Sequence, residues 1–274
     1  MPPEESQSVL RFEHVTVRFN EATALDDLSF EVASGETRVI FGAAGSGKTV
    51  LLKTALALIR PDSGKVRVFG REIEGMAERD LFRVRSRIGV LFQEGGLFDS
   101  LTVGENVAYP LENLLEFQLP EGPAQEKAAE ALRFVELDQT LEKFPAELSG
   151  GMRRRVGIAR AIVTEPPLVL YDSPTAGLDP ITAYTIVALI AKERDLKNTT
   201  TVMATHRYQD GHFLATCRYD PATGRAERVA AAEEDALGTV FMVLHEGRCV
   251  FEGNLEELNA CTDPYVGKFV RREE

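Results

Sequence analysis

The 274-residue sequence has little of what would make it a stapled, secreted or membrane-spanning chain. Its three cysteines, Cys217, Cys249 and Cys261, form no CxxC pair, so neither a disulfide framework nor a cysteine metal site is expected. They read as reduced packing residues. The longest apolar run, 50–59, is interrupted by Lys53 and falls short of the roughly 20 residues that a bilayer span needs. The start, Met1 to Ser6, has no positive charge and no apolar centre, which argues against a secretion signal and for a cytosolic chain. Basic residues are also in deficit: 31 Lys and Arg against 43 Asp and Glu give a net charge of −12. Binders of phosphate backbones usually carry a basic excess, so nucleic acid is not expected as a partner. The length allows one large α/β domain, or a main domain with a small appendage, and a sizeable core.

What is present centres on Gly42, Ala43, Ala44, Gly45, Ser46, Gly47, Lys48 and Thr49, which fill the pattern GxxxxGK[ST] at every specified position. The apolar run 37–41 before them predicts a buried strand, and 50–59 after them a helix. Strand, glycine-rich loop and helix together predict a nucleoside triphosphate site. Glycines let backbone N–H groups turn inward around phosphates, and the helix N-terminus adds partial positive charge. In such loops the lysine, here Lys48, reaches the terminal phosphates and the hydroxyl residue, here Thr49, serves the accompanying Mg2+. The competing reading is an ordinary glycine-rich turn.

Residues 10–32 alternate as antiparallel strands, with a polar stretch at 20–27 between them. Phe19 ends the first strand, where it suits either stacking on an adenine or plain core packing. A turn at 60–64 leads to a strand at 65–69, a charged helix at 77–87 and a short buried strand at 88–92 that delivers Gln93 to the mouth of the sheet. Residues 95–117 read as a loop and then a helix broken at Pro110, with further helices at 123–137 and 139–144, a helical subdomain inserted between strands. Ser149, Gly150 and Gly151 open a helix that runs to 163; a glycine-rich helix start suits an anion, and Ser149 alone suits a cap. The strand 167–172 ends in Asp172, placed to hold Mg2+ through water. A turn, a helix at 181–193 and a strand at 199–204 follow, the last delivering His206 to the same edge if the strands run parallel. Beyond it, 213–219 and 225–229 suggest a hairpin, 240–251 a closing hairpin, and two short helices finish the chain.

Taken together, these motifs resemble the nucleotide-binding subunit of an ABC transporter, over nearly the whole chain. The implied fold is α/β, a P-loop NTPase core of the ABC ATPase type with an antiparallel β subdomain and an inserted α-helical subdomain. The expected layout is an ATPase domain over 7–263, with the helical subdomain at about 94–164, an extra hairpin segment at about 208–238, and a tail at 264–274. The resemblance makes Phe19 the adenine-stacking aromatic, residues 42–49 the ATP phosphate loop and Gln93 the Q-loop glutamine near the metal. It makes 148–152 the signature, with Met152 for the usual glutamine, 176–179 the D-loop with Asp179, and His206 the switch histidine. It implies a head-to-tail dimer with a second copy or a related ATPase subunit, Ser149 and Gly151 of one chain meeting the γ-phosphate held by Lys48 of the other. The chain would then sit on the inner face of the membrane through a permease. The segments GGLFDSLTVGENVAYPL, LSGGMRRRVGIARAI and TAGLDPITA are similar to ATPases of Mla/Mce-type lipid transporters, which implies a phospholipid or other apolar cargo and a periplasmic lipid-binding partner.

One departure bears on mechanism. Where the family has a glutamate that orients the attacking water, this sequence has Ser173, whose hydroxyl cannot serve as a base near neutral pH. Hydrolysis is therefore expected to be slow, and an ATP-dependent clamp or degenerate half-site is the competing reading. A second departure is the long segment between His206 and Val240.

Overall fold

The computed structural model describes residues 8–20, 22–93, 95–114 and 119–270. The proposed boundary at Gln7, Glu94, the end of the 95–117 segment at 115–117, and the last residues of the expected tail, 271–274, lie outside the described residues.

Strands β1 (Ser8–Phe19) and β2 (Ala22–Ala33) pair antiparallel, from Ser8 opposite Ala33 to Phe19 opposite Ala22. The polar stretch expected at 20–27 is thus mostly strand, because Leu25 is fully buried opposite Val17 and carries the alternation on. β3 (Thr37–Phe41) is buried at every position and runs into the glycine-rich loop and α1 (Lys48–Ala55). That helix stops short of the expected residue 59, and Ala57 takes a left-handed φ of 51°. β4 (Ser63–Val68) and β5 (Arg71–Glu72) complete an antiparallel sheet of order β2-β1-β4-β5. α2 (Glu78–Arg85) then leads to β6 (Ile88–Leu91).

The inserted helices are α3 (Val103–Asn113), α4 (Glu121–Phe134) and α5 (Gly150–Ile162). α3 is not broken at Pro110. Its start is held by a capping box between Thr102 and Glu105, its buried face includes Val103, Val107 and Leu111, and that packing outweighs the one backbone bond the proline forgoes. The helix expected at 139–144 is replaced by two single 3₁₀ turns, Asp138–Thr140 and Pro145–Glu147. With Leu137 and Leu148 the main buried apolar anchors flanking it, this stretch lacks a stripe long enough to bind a helix to the core.

The chain returns through β7 (Leu168–Asp172), α6 (Pro180–Lys197), β8 (Thr200–Thr205) and α7 (Tyr208–Thr216). α7 occupies much of what the sequence suggested was the first arm of a hairpin. Its buried residues include Asp210, Gly211, Leu214 and Ala215, a spacing that makes one helical face. The hairpin itself is short, β9 (Cys217–Asp220) with β10 (Arg225–Arg228). β11 (Thr239–His245), β12 (Arg248–Gly253), α8 (Leu255–Ala260) and α9 (Gly267–Val270) close the chain. The supposed tail belongs to the core as far as Val270: Val266 is fully buried, and Phe269 stacks on Phe41.

The main sheet has the order β12-β11-β3-β8-β7-β6, in which all neighbours but β12 and β11 run parallel. Its inner strands β3, β7 and β8 are buried at every position because both faces are covered. Ile40, Leu168 and Leu170 face the antiparallel sheet and α1, while Val39, Phe41, Val169 and Tyr171 face the inserted and C-terminal helices. The register sets Phe41 opposite Thr205 and Asp172 opposite Ala204, so the loops after β3, β7 and β8 leave at one edge.

One buried carboxyl lies away from that edge. Glu193 of α6 is 3% exposed, accepts from Thr199 Oγ1 at 3.2 Å, and burial pushes its pKa up from 4.5 to about 7. Because the folded value is the higher, its contribution to stability is complete below pH 4.5 and is lost as the pH rises through 7. Glu193→Gln should therefore stabilise the fold at pH 8.5 by about 2 kcal/mol, a difference that closes by about pH 5. Denaturant melts at the two pH values measure it, and equal gains at both would contradict it.

Candidate functional site

The loop after β3 is shaped by its own residues and by neighbours from other parts of the chain. Gly47, the N-cap of α1, has a φ of 105°, and a Cβ there would overlap the carbonyl oxygen of Ala24, so a glycine is required. Lys48 is 9% exposed, and its Nζ donates to Gly42 O at 2.6 Å, Ala43 O at 2.8 Å and Ser46 Oγ at 3.4 Å. Burial lowers its pKa, and the field of Asp172 opposes that effect. An ammonium partly stripped of water and held by neutral oxygens is poised for an anion. Thr49 Oγ1 donates to Asp172 Oδ2 at 2.8 Å, joining the start of α1 to the end of β7.

An open cavity at this edge is lined by Ala43, Ala44, Gly45, Ser46, Gly47, Lys48 and Thr49, together with Gln93, Ser173 and His206. Residues as far apart in sequence as Ala43 and His206 are thus brought to one place, with Asp172 reaching it through Thr49. Ser173 has a φ of 51°; its N–H donates to Ala204 O at 2.8 Å and its hydroxyl to Asp172 Oδ1 at 3.3 Å. Phe19 is 47% exposed at the end of β1 and does not line the cavity.

Ser149, Gly150, Gly151 and Asp179 do not line it either. Ser149 caps α5 by accepting from Met152 N–H at 3.2 Å, and Gly150 lines an adjoining cavity with Gln93 and Ala176. Asp179 is exposed and caps α6 through Ile181 and Thr182 N–H; the bonds with Thr182 hold its carboxyl below the usual range. Ser149, Gly150, Gly151 and Asp179 therefore stand outside the cavity that Lys48 and Thr49 line, whereas Ala176 is part of its wall.

Two residues organise this edge that the motifs did not reveal. Arg154 of α5 is 9% exposed and donates to the backbone oxygens of Gln93 and, at 3.3 Å, of Ala176, tying the loops after β6 and β7 together. Asp210 of α7 is 3% exposed and accepts from Thr175 Oγ1 and, at 2.9 Å, from Thr205 Oγ1, which fixes the turns beside Ser173 and His206. Burial raises its pKa. A charged residue on the buried face of α7 was the available signal.

Residues 25–176 match the family described as ABC transporter. The chain belongs to the ABC transporter family. Among ABC relatives, a methionine import ATP-binding protein, MetN, of Mesorhizobium japonicum is 41% identical over 207 residues, 76% of this chain and 56% of that protein. The chain thus spans little more than half of that relative's length. An intermembrane phospholipid transport ATP-binding protein, MlaF, of Haemophilus influenzae is 33% identical over 268 residues, covering 98% of this chain and 92% of that one. Among solved structures, the dimeric ATP-binding cassette MJ0796 in a post-hydrolysis state with ADP and Pi superposes with a TM-score of 0.73 at 28% identity, covering 90% of this chain and 98% of that one. The α/β architecture, a P-loop ABC ATPase core, is the one expected from the sequence. Among the described residues, no helix is long and apolar enough to cross a membrane.

Proposed function

We propose that the chain is the ATP-binding, ATP-hydrolysing subunit of a transporter, driving a membrane permease from the inner face of the membrane. The observation that carries this reading is the 2.8 Å bond between Thr49 Oγ1 and Asp172, which joins a complete phosphate loop to a strand-end carboxylate beneath the cavity. In this reading backbone N–H groups after Ala43 in the loop, together with Lys48, hold the ATP phosphates, and Phe19 meets the adenine. Gln93 and His206 contact the γ-phosphate region and the attacking water.

Magnesium suits the donors present. The Thr49 hydroxyl, the Asp172 carboxylate and the Gln93 amide oxygen are hard oxygen ligands, and among the described residues no group of three His, Cys, Asp or Glu could hold a metal unaided. Such a sparse set fits an ion whose remaining ligands are phosphate and water. When bound, the ion would neutralise phosphate charge; the protein's part is to fix the phosphates and the water.

That Ser149, Gly150, Gly151 and Asp179 stay out of the cavity around Lys48 supports a head-to-tail dimer, with a second copy or a related subunit, in which these residues complete the partner's site. Gly150 offers the test. A Cβ there meets nothing nearer than Leu178 Cδ2 at 3.9 Å, so Gly150→Asp is tolerated by the fold and sets a carboxylate against the partner's γ-phosphate. We expect ATP affinity to be kept and ATP-dependent dimerisation, followed by sedimentation in EDTA, to be lost. A variant that dimerises like the wild type contradicts the role of the signature.

The cargo we propose is a phospholipid or other apolar molecule, delivered with a periplasmic lipid-binding subunit. Support comes from the phospholipid-transport relative, which is 33% identical over 268 residues of this chain. Ser173 favours a second reading, an ATP-dependent clamp or degenerate half-site with little hydrolysis, because no carboxylate occupies that position.

A further inference from the structure

The first peptide of the phosphate loop is gripped on both edges. Its carbonyl, Gly42 O, accepts from Lys48 Nζ at 2.6 Å, and its amide, Ala43 N–H, donates to the Tyr265 hydroxyl at 3.4 Å. That hydroxyl donates onward to Leu244 O, at 3.2 Å, in the strand beside β3. The ring is fixed as firmly. It stacks on His245 with centroids 3.8 Å apart and planes 19° from parallel, and it meets Phe269 edge-on at 5.4 Å. Phe269 stacks at 6.1 Å on Phe41, the residue just before Gly42. Asp263 accepts from Tyr265 and Val266 N–H at 2.7 and 3.1 Å, and Val266 is fully buried, so the segment carrying the tyrosine is itself anchored.

We infer that Tyr265 is a positioning residue for the nucleotide site, aligning the phosphate loop from the C-terminal segment; the inference rests on the reading of 42–49 as an ATP site. To reach a phosphate, Lys48 must give up the Gly42 and Ala43 carbonyls, which frees one edge of that peptide. The bond from Ala43 N–H to Tyr265 then keeps the peptide plane, and the N–H groups that follow it, aligned for the phosphates. Without the hydroxyl the loop must be ordered by the ligand, at the expense of affinity. One neutral hydrogen bond of this kind corresponds to about fivefold in Kd. The alignment is the same for bound ATP and for the transition state, so KM rises and kcat does not.

Tyr265→Phe removes the hydroxyl and keeps the ring on His245. The experiment is calorimetric titration of the full chain with ATP and Mg2+, wild type against Tyr265→Phe, with KM, kcat and thermal midpoint measured on the same samples. The expected result is a Kd and KM about fivefold higher at unchanged kcat and nearly unchanged midpoint. An unchanged Kd in the variant while the wild type binds ATP overturns the inference alone, as does a lowered midpoint with Kd unchanged, which assigns Tyr265 a structural role. A wild type that binds no ATP overturns the ATP reading and this inference with it.

Discussion

Lys48→Ala should weaken ATP binding by about a hundredfold or more and remove hydrolysis with it. The side chain is 9% exposed, and its ammonium donates hydrogen bonds to backbone and hydroxyl oxygens, so part of its hydration is already gone before a ligand arrives. A phosphate that replaces those neutral acceptors gains a charge-assisted bond in a partly desolvated site, about 3 kcal/mol with its Coulomb share. The fold should survive, because the variant removes a buried cation rather than stranding one; the Thr49 to Asp172 bond is independent of it. Calorimetry and a thermal melt on the same sample test both halves. A Kd within threefold of wild type would show that the loop is not a phosphate site.

Ser173→Glu should raise ATP turnover by roughly 10²-fold or more at nearly unchanged ATP affinity. Ser173 lines the cavity directly after Asp172, and its hydroxyl is engaged with that carboxylate at 3.3 Å. Its backbone is pinned by the bond from its N–H to Ala204 O at 2.8 Å and by the turn that Asp210 holds through Thr175. A longer side chain on that fixed backbone extends into the same cavity. The left-handed φ of 51° is already borne by serine, so glutamate adds little strain. A carboxylate within reach of water supplies the general base that a hydroxyl cannot. Turnover unchanged in the variant would mean that another group already performs that step.

The parts of the site that were legible in the sequence are those in which chemistry is written locally. Gly42 to Thr49 is a contiguous pattern with a strand before it and a helix after it, and Asp172 and His206 each end a short apolar run. Parallel strands needed only to be assumed for these to meet, and the register of β3, β7 and β8 brings them to one edge. Elsewhere, tertiary contacts decided. Pro110 breaks a helix by propensity, yet the buried face of α3 keeps it whole. The run at 213–219 alternates well enough for a strand, but a single buried face turns most of it into α7. The last segment looked like a tail because its apolar residues are few and spaced, and nothing local says that Phe269 finds Phe41 or that Tyr265 finds the phosphate loop. Arg154 and Asp210 escaped notice for the same reason: Arg154 bonds the backbone oxygens of Gln93 and Ala176, Asp210 the hydroxyls of Thr175 and Thr205, and no sequence pattern announces such bonds.

The central claim is that this chain consumes the ATP it captures in order to drive a permease. Steady-state ATP turnover of the wild type, assembled with its permease in lipid bilayers beside the Lys48→Ala variant, tests it most directly. The expected result is slow turnover clearly above the Lys48→Ala background. Turnover equal to that background, while ATP still brings two chains together, would contradict the claim and leave an ATP-dependent clamp in its place.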